Sequence, residues 1–300
     1  MIKVPASSAN MGAGFDTLGI GVCLFSTVEM SETEGGLTIV DNDETGCVPK
    51  DEKNLIYRAA KKVFDAAGYK PEGLFIKQLS DIPMTRGLGS SSACIISGML
   101  GANVISGRKF NYSEILDMAA EMEGHPDNVA PALYGGLCVS AVNNGHVCTK
   151  SIKPDSRFKL AVFVPDYFIS TRRARGSVPT LYRREDAIFN ISHSSLMVAA
   201  FMEGNKELMR AACEDKIHQP YRKNYIEGYD FIFKTAYELG AAAVYLSGSG
   251  PTIVAVIDEN YNEFKNEAQK RIDENGYRIK CEILSIDNVG TVLKEVKNNR

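Results

Sequence analysis

No two cysteines of this chain stand at C-x-x-C spacing. The seven present, Cys23, Cys47, Cys94, Cys138, Cys148, Cys213 and Cys281, are odd in number and scattered. That pattern offers neither a zinc site nor a redox pair. Several of the thiols sit in apolar runs, where they pack as small hydrophobes, and a reducing cytoplasm is the expected location. The opening Met1-Ile2-Lys3-Val4-Pro5 lacks a signal peptide's hydrophobic stretch. No apolar run reaches the length of a membrane span without glycine or polar breaks. A long basic stripe is missing too. With a net charge of −3 and only Arg172, Arg173 and Arg175 clustered, a general nucleic-acid binder is not expected. A small anionic ligand fits this balance better. Internal repeats and low-complexity segments are absent.

What is present is an ordinary globular chain. Its 300 residues allow two domains or one large one with ample core. A boundary near Lys153-Pro154-Asp155-Ser156 would divide it into 1–155 and 156–300. The most distinctive stretch is Pro83-Met84-Thr85-Arg86-Gly87-Leu88-Gly89-Ser90-Ser91-Ser92-Ala93, followed by an apolar run from Cys94 to Ile105. Glycines feeding the N-terminus of a buried helix make a cradle for an anion, because the first N–H groups there lack partners and the dipole is positive. Leu88, between the glycines, reads as an anchor pinning the loop to a core. The stretch is not a Walker A loop, since no Gly-Lys-Ser/Thr follows. It is a poor dinucleotide fingerprint, with Ser92 at the third glycine position and Arg108-Lys109, not an acid, about twenty residues on. A serine-rich N-cap on a buried helix is the plainer alternative.

In chain order, Ile2 to Val4 reads as a strand stopped by Pro5. The small, flexible run from Pro5 to Asp16 follows, with Asn10 and Asp16 as polar handles or as self-satisfied turn residues. Leu24 to Met30 and Leu37 to Val40 are strand-like, and Asp41 to Lys53 is a polar connector. Asn54 to Ala67 carries a helical stripe closed by Gly68, and Leu74 to Leu79 alternates as a strand. Ser113 is the expected cap of a helix through Met122. This helix runs into Glu121-Met122-Glu123-Gly124-His125-Pro126-Asp127-Asn128-Val129-Ala130-Pro131, where acids, a histidine and an amide can converge. One carboxylate there suits magnesium, which prefers oxygen, and a second group could orient or deprotonate a hydroxyl; a solvated helix end is the alternative. Gly136 to Val142 and His146 to Ile152 read as a hairpin through Asn143-Asn144-Gly145. Later come an apolar strand from Phe158 to Val164 and the basic Ser170 to Arg175. Helices are expected over 183–203, 206–213 and 227–239. A second Gly/Ser turn, Ser247 to Thr252, lies between apolar strands and is either a backbone approach point or a tight hairpin. A helix around Phe264, Ala268 and Ile272 and a strand from Arg278 to Ile286 close the pattern.

Three of these stretches together, Pro5–Asp16, Pro83–Ala93 and Ala242–Thr252, resemble the motifs of the GHMP small-molecule kinases. The likeness covers most of the chain. Ser-Ala-Asn-Met-Gly-Ala-Gly-Phe-Asp, Glu-Gly-His-Pro-Asp-Asn-Val-Ala-Pro-Ala-Leu-Tyr-Gly-Gly, Thr171-x-x-Ala-Arg175 and His218-x-Pro-Tyr-Arg222 make it most similar to the members acting on L-homoserine.

The resemblance implies an α+β fold of two domains, the first like domain 2 of ribosomal protein S5 and the second ferredoxin-like. It implies transfer of the ATP γ-phosphoryl group to the side-chain hydroxyl of L-homoserine in threonine biosynthesis, with Mg²⁺. Asn54 would meet the adenine. Pro83, Arg86, Gly87, Leu88, Gly89, Ser90, Ser91, Ser92 and Ala93 would hold the nucleotide. Ser91 and Glu123 would hold the metal, and Asn10, Asp16, His125, Asn128, Arg175 and Arg222 would surround the amino acid. Glu123, Ser91 and Asn128 would be catalytic, with Asp127 a candidate base where a base is used at all. Ser92 departs from the alanine of many relatives. Another small alcohol such as threonine or mevalonate, a non-catalytic binder on this fold, and a nicotinamide oxidoreductase are the rival readings; a homodimer is compatible with the resemblance.

Overall fold

The computed structural model describes residues 1–295. In chain order the elements are β1 (Ile2–Ala9), β2 (Leu18–Thr33), β3 (Gly36–Asp41), α1 (Leu55–Ala67), β4 (Gly73–Ser80), α2 (Ser90–Ile105), α3 (Tyr112–Glu123), α4 (Val129–Tyr134), β5 (Leu137–Asn143), β6 (His146–Ile152), β7 (Lys159–Pro165), α5 (Thr171–Gly176), α6 (Arg184–Glu203), α7 (Lys206–Ala212), α8 (Gln219–Arg222), α9 (Tyr229–Glu238), β8 (Ala243–Leu246), β9 (Ile253–Ile257), α10 (Tyr261–Glu274), β10 (Ile279–Ser285) and β11 (Val292–Leu293).

The first sheet runs β11-β1-β2-β4-β3, with β5 joined to β2 and β6 to β5. Only β3 and β4 pair in parallel; the other ladders are antiparallel. Helix α2 packs on this sheet and is apolar on every face, so it is buried almost along its whole length, from Ser92 to Asn103. Ile95, Ile96, Met99 and Leu100 share a core with Val4, Ile20, Val28 and Ile76 of the strands and with Ala59 and Val63 of α1. Asn54 caps α1 by accepting the amides of Ile56 and Tyr57, and Gly68 ends it in the left-handed region at φ 63°.

The second sheet runs β10-β7-β9-β8 and is antiparallel throughout. Numbered within itself, that order is 4-1-3-2, the split βαβ arrangement expected for a ferredoxin-like unit. Phe163, Val244, Leu246 and Ile253 of its strands pack with Ile232 and Ala236 of α9 and Phe264, Ala268 and Ile272 of α10. After β10 the chain returns to the first sheet: β11 pairs with β1, Ile2 opposite Leu293.

Two local expectations need correction. Pro5 does not stop the first strand, because the β1–β2 register shifts between Pro5 and Ala6 and pairing then continues to Ala9. Helix α3 is capped by Asn111, not Ser113: the Asn111 side chain accepts from Ser113 and Glu114 amides while the Glu114 carboxylate takes the Asn111 amide. The polar connector after β3 is as expected, and Asp43 folds it by accepting the amides of Thr45, Cys47 and Val48, so that it walls a cleft.

Candidate active site

One cleft of about 630 Å³ collects most of the chemistry-bearing residues. Its floor is made where three sequence stretches meet. The Ser7 amide donates to the Leu88 carbonyl, the Gly248 amide to Ala9, and the Thr252 amide to Arg86. The Ser8 and Ser247 hydroxyls are 2.7 Å apart, and Asn10 Nδ2 donates to the Gly248 carbonyl at 2.9 Å. The Ser247–Thr252 turn is thus a backbone approach point as well as a connection between β8 and β9.

The glycine loop enters α2 through Gly89, whose φ of 69° is left-handed, and no side chain caps the helix. A Cβ on Gly89 would stand 2.0 Å from Ser7 Oγ, and one on Gly87 would stand 2.5 Å from the Ser247 carbonyl oxygen. Only glycine permits this closeness. Leu88 is buried at 1% exposure, as its anchoring role requires. Gly87, Gly89, Ser90 and Ser91 line the cleft together with Pro83 and Arg86, whereas Leu88, Ser92 and Ala93 do not. Arg86 spends its guanidinium on the carbonyls of Pro165 and Asp166, tying the loop to the end of β7. Asn54 reaches the cleft wall with its side chain engaged as the α1 cap and as a donor to Pro49.

Glu123 ends α3, where the helix dipole disfavours a carboxylate. Its Oε1 accepts from Ser91 Oγ at 2.6 Å and from Ser92 Oγ at 3.2 Å. No lysine, arginine or histidine pairs with it among the described residues, while neighbouring Glu121 turns outward to Lys62. An oxygen-rich, anionic set with no cation of its own matches what a hard divalent ion prefers.

Beyond it lies a charged wall. The Arg175 guanidinium grips Asp16 with both terminal nitrogens, at 3.1 and 2.9 Å. His125 Nδ1 is hydrogen-bonded to Asp127 Oδ1, which also accepts from Asn128 Nδ2, and Ser7 Oγ donates to Asn128 Oδ1. Burial opposes charge on His125, but the hydrogen bond and attraction of Asp127 outweigh it and raise its pKa. Asp16, His125 and Asp127 bring one ligand atom each within 4.8 Å of one another. Arg222 is 2% exposed, donates to the carbonyls of Ala174 and Gly248, and has no carboxylate within ion-pair reach among the described residues. Burial, then the nearby Arg175 charge, pulls its pKa down to about 10.

The sequence reading missed Ser7, Ser8, Phe15 and Ser247. Phe15 lies beneath both guanidiniums, 5.7 Å from Arg175 and 5.2 Å from Arg222. Its signal was a lone aromatic in a run of small residues. Of the basic stretch, the side chains of Thr171 and Arg172 lie outside the described residues.

The family model described as the GHMP kinases N terminal domain matches residues 54–136, and that of the GHMP kinases C terminal matches 197–274. The homoserine kinase of Caldicellulosiruptor saccharolyticus is 42% identical over 300 residues, covering 99% of this chain and 97% of that protein. The homoserine kinase of Clostridium beijerinckii is 44% identical over 295 residues, covering 98% of each. The chain belongs to the GHMP kinases.

The two-domain α+β architecture of this GHMP kinase is shared with solved relatives. The crystal structure of homoserine kinase from Cytophaga hutchinsonii superposes with a TM-score of 0.86 at 26% identity, covering 97% of this chain and 96% of that one. A mevalonate kinase of L. major, at 15% identity and a TM-score of 0.73, shares the fold. As a kinase, the protein takes ATP as phosphoryl donor. No helix among the described residues is long and apolar enough to cross a membrane.

Proposed function

We propose that this kinase transfers the γ-phosphoryl group of ATP to the side-chain hydroxyl of L-homoserine, giving O-phospho-L-homoserine for threonine biosynthesis in the cytoplasm. The observation that carries the substrate is Arg222, a buried cation without a carboxylate partner among the described residues, lining the same cleft as the Asp16–Arg175 pair. A ligand with both ammonium and carboxylate satisfies that wall: its carboxylate goes to Arg222 and Arg175, its ammonium to Asp16 and Asn10. Mevalonate has no ammonium to offer Asp16. We take the chain to divide near residue 155, between the two sheets, with β11 returning across the division.

The nucleotide's phosphates are assigned to the amides at the start of α2, where the dipole favours negative charge. Ser91 and Glu123 would hold Mg²⁺, which neutralises charge on the transferring phosphoryl group when bound. Asn128, held by Ser7, and His125 set the position of the acceptor hydroxyl. Asp127, which also lines the cleft, is the candidate carboxylate to take its proton. Phosphoryl transfer depends chiefly on alignment and charge stabilisation, so this proton transfer need not dominate the rate.

A coupled assay of ADP release across L-homoserine, L-threonine and mevalonate tests the reading. Homoserine is expected to give the highest kcat/KM; if it is turned over worst of the three, the substrate assignment fails.

A further inference from the structure

Behind the cleft wall lies a histidine that no part of the proposed chemistry uses. His218 is fully buried and does not line the cleft. Its Nε2 is 2.8 Å from the Gly12 carbonyl oxygen, and its Nδ1 is 3.4 Å from Arg222 Nη1. A carbonyl can only accept and a guanidinium can only donate. The two partners therefore assign the ring: the proton sits on Nε2, Nδ1 carries a lone pair, and the imidazole is neutral. Asp215 does not compete for that proton. Its carboxylate takes the amides of Ile217, His218 and Gln219 and the side chain of Asn190, and lies 3.6 Å from Nε2.

We propose that His218 is a positioning residue acting through Arg222: its Nδ1 lone pair turns the guanidinium so that the remaining N–H groups face the substrate carboxylate. The proposal rests on Arg222 receiving that carboxylate. Three fixed acceptors then define the arginine, one each from α5 (Ala174), the Gly/Ser turn (Gly248) and the cap position just before α8 (His218). Phe15 stacks on the imidazole at 5.3 Å and closes the remaining side. The charged groups facing the ring are Asp215 from the preceding loop, Arg222 one turn along α8, and Asp16 beyond Phe15. Burial is the strongest influence on the ring and disfavours its protonation, which keeps the acceptor available.

Two variants separate positioning from space-filling. In His218→Gln the amide nitrogen reaches the Nε2 position and still donates to Gly12, but Arg222 loses one of its three acceptors, the one on His218. In His218→Asn an acceptor remains near Nδ1. The Gln variant is expected to raise the homoserine KM about tenfold, the worth of one hydrogen bond to a charged group, with kcat and the ATP KM within about twofold of wild type. The Asn variant should stay within about threefold of the wild-type homoserine KM. Equal effects of the two, or an ATP KM that moves as far as that of homoserine, overturn the proposal. Nitrogen-15 NMR of histidine-labelled wild-type protein judges the tautomer without any variant, and only four histidines need assignment. A bare Nδ1 on His218 at neutral pH supports the proposal, and a proton there refutes it. Should wild-type protein fail to phosphorylate homoserine, the substrate reading falls, while the tautomer still decides the state of His218.

Discussion

Replacing Gly89 by alanine tests the cradle at the mouth of α2 with a magnitude that can be worked out beforehand. Two costs add. The left-handed φ of 69° disfavours any residue with a Cβ by roughly 1–2 kcal/mol. The new methyl would also lie 2.0 Å from Ser7 Oγ, a hydroxyl with no exposure that is already donating to Asn128. Forcing a buried neighbour aside costs typically about 1–3 kcal/mol. The sum is about 3 kcal/mol, read as a lowered urea midpoint at unchanged slope. Gly107→Ala is the control, because Gly107 is also left-handed, at φ 89°, but a Cβ there meets nothing within 4 Å. It should cost only the conformational part, about 1 kcal/mol. Adding Ser7→Ala to Gly89→Ala should recover part of the loss, since the colliding oxygen is gone, even though Ser7→Ala alone loses a buried hydrogen bond. Equal destabilisation by the two glycine variants, or no recovery in the double variant, would refute the close approach of Ser7 to the loop.

Three further outcomes follow from the site. Glu123→Gln should lower kcat by about hundredfold or more, because the proposed Mg²⁺ contributes several kcal/mol of charge stabilisation; normal turnover would remove Glu123 from the metal site, and an unchanged melting temperature separates lost chemistry from lost fold. Arg222→Ala should raise the homoserine KM by roughly hundredfold, and Arg175→Ala by only about tenfold, because the loss of Arg175 also frees Asp16 for the ammonium. The reverse order, or an ATP KM that moves instead, contradicts the assignment. Acid should weaken the fold through His218, whose burial lowers its folded pKa below the ordinary value of about 6.5. As pH falls through that ordinary value the unfolded chain takes up a proton that the folded ring refuses, so stability present above it is lost below. The stability advantage of wild type over His218→Asn should therefore shrink from about pH 7.5 to about pH 5.5 in urea titrations, and an advantage that grows would reverse the sign.

Local chemistry explains what could be read from the sequence. Helix α1 was legible because its stripe and its Gly68 terminator agree with one another, and the structure adds Asn54 as its cap. The β5–β6 hairpin was legible because Asn144 and Gly145 both take positive φ, 51° and 83°, which suits the tight turn. Misreadings arose where tertiary structure decided, and in one place, the start of α3, where a local capping box was overlooked. Pro5 normally ends a strand, but the bulge at Pro5 and Ala6 absorbs its missing N–H. Ser113 is an acceptable cap, but Asn111 wins by completing a box with Glu114. Strand β11 is two residues whose only reason to be extended is β1, nearly the whole chain away. Ser7 was not recognisable as a site residue because its partners, Leu88 and Asn128, lie far along the sequence.

The substrate wall shows why a residue list is not yet a site. Asp16 and Arg175 were both expected to hold the amino acid, and in the structure they hold each other. Their side chains are 32% and 42% exposed, so water screens the pair and opening it costs at most about 1 kcal/mol. Among the described residues Arg222 has no such partner, and it is only 2% exposed. The energetic demand for a carboxylate therefore sits on Arg222, while Asp16 and Arg175 need only exchange one partner for another. A zwitterion meets both demands at once: its carboxylate neutralises the buried cation and shares Arg175, and its ammonium replaces the guanidinium at Asp16. A neutral alcohol would leave Arg222 unpaired, and a simple carboxylic acid would take Arg175 from Asp16 without replacing it. On the proposed assignment, selectivity for an amino acid would come from the unequal burial of two arginines, a property that sequence spacing does not encode.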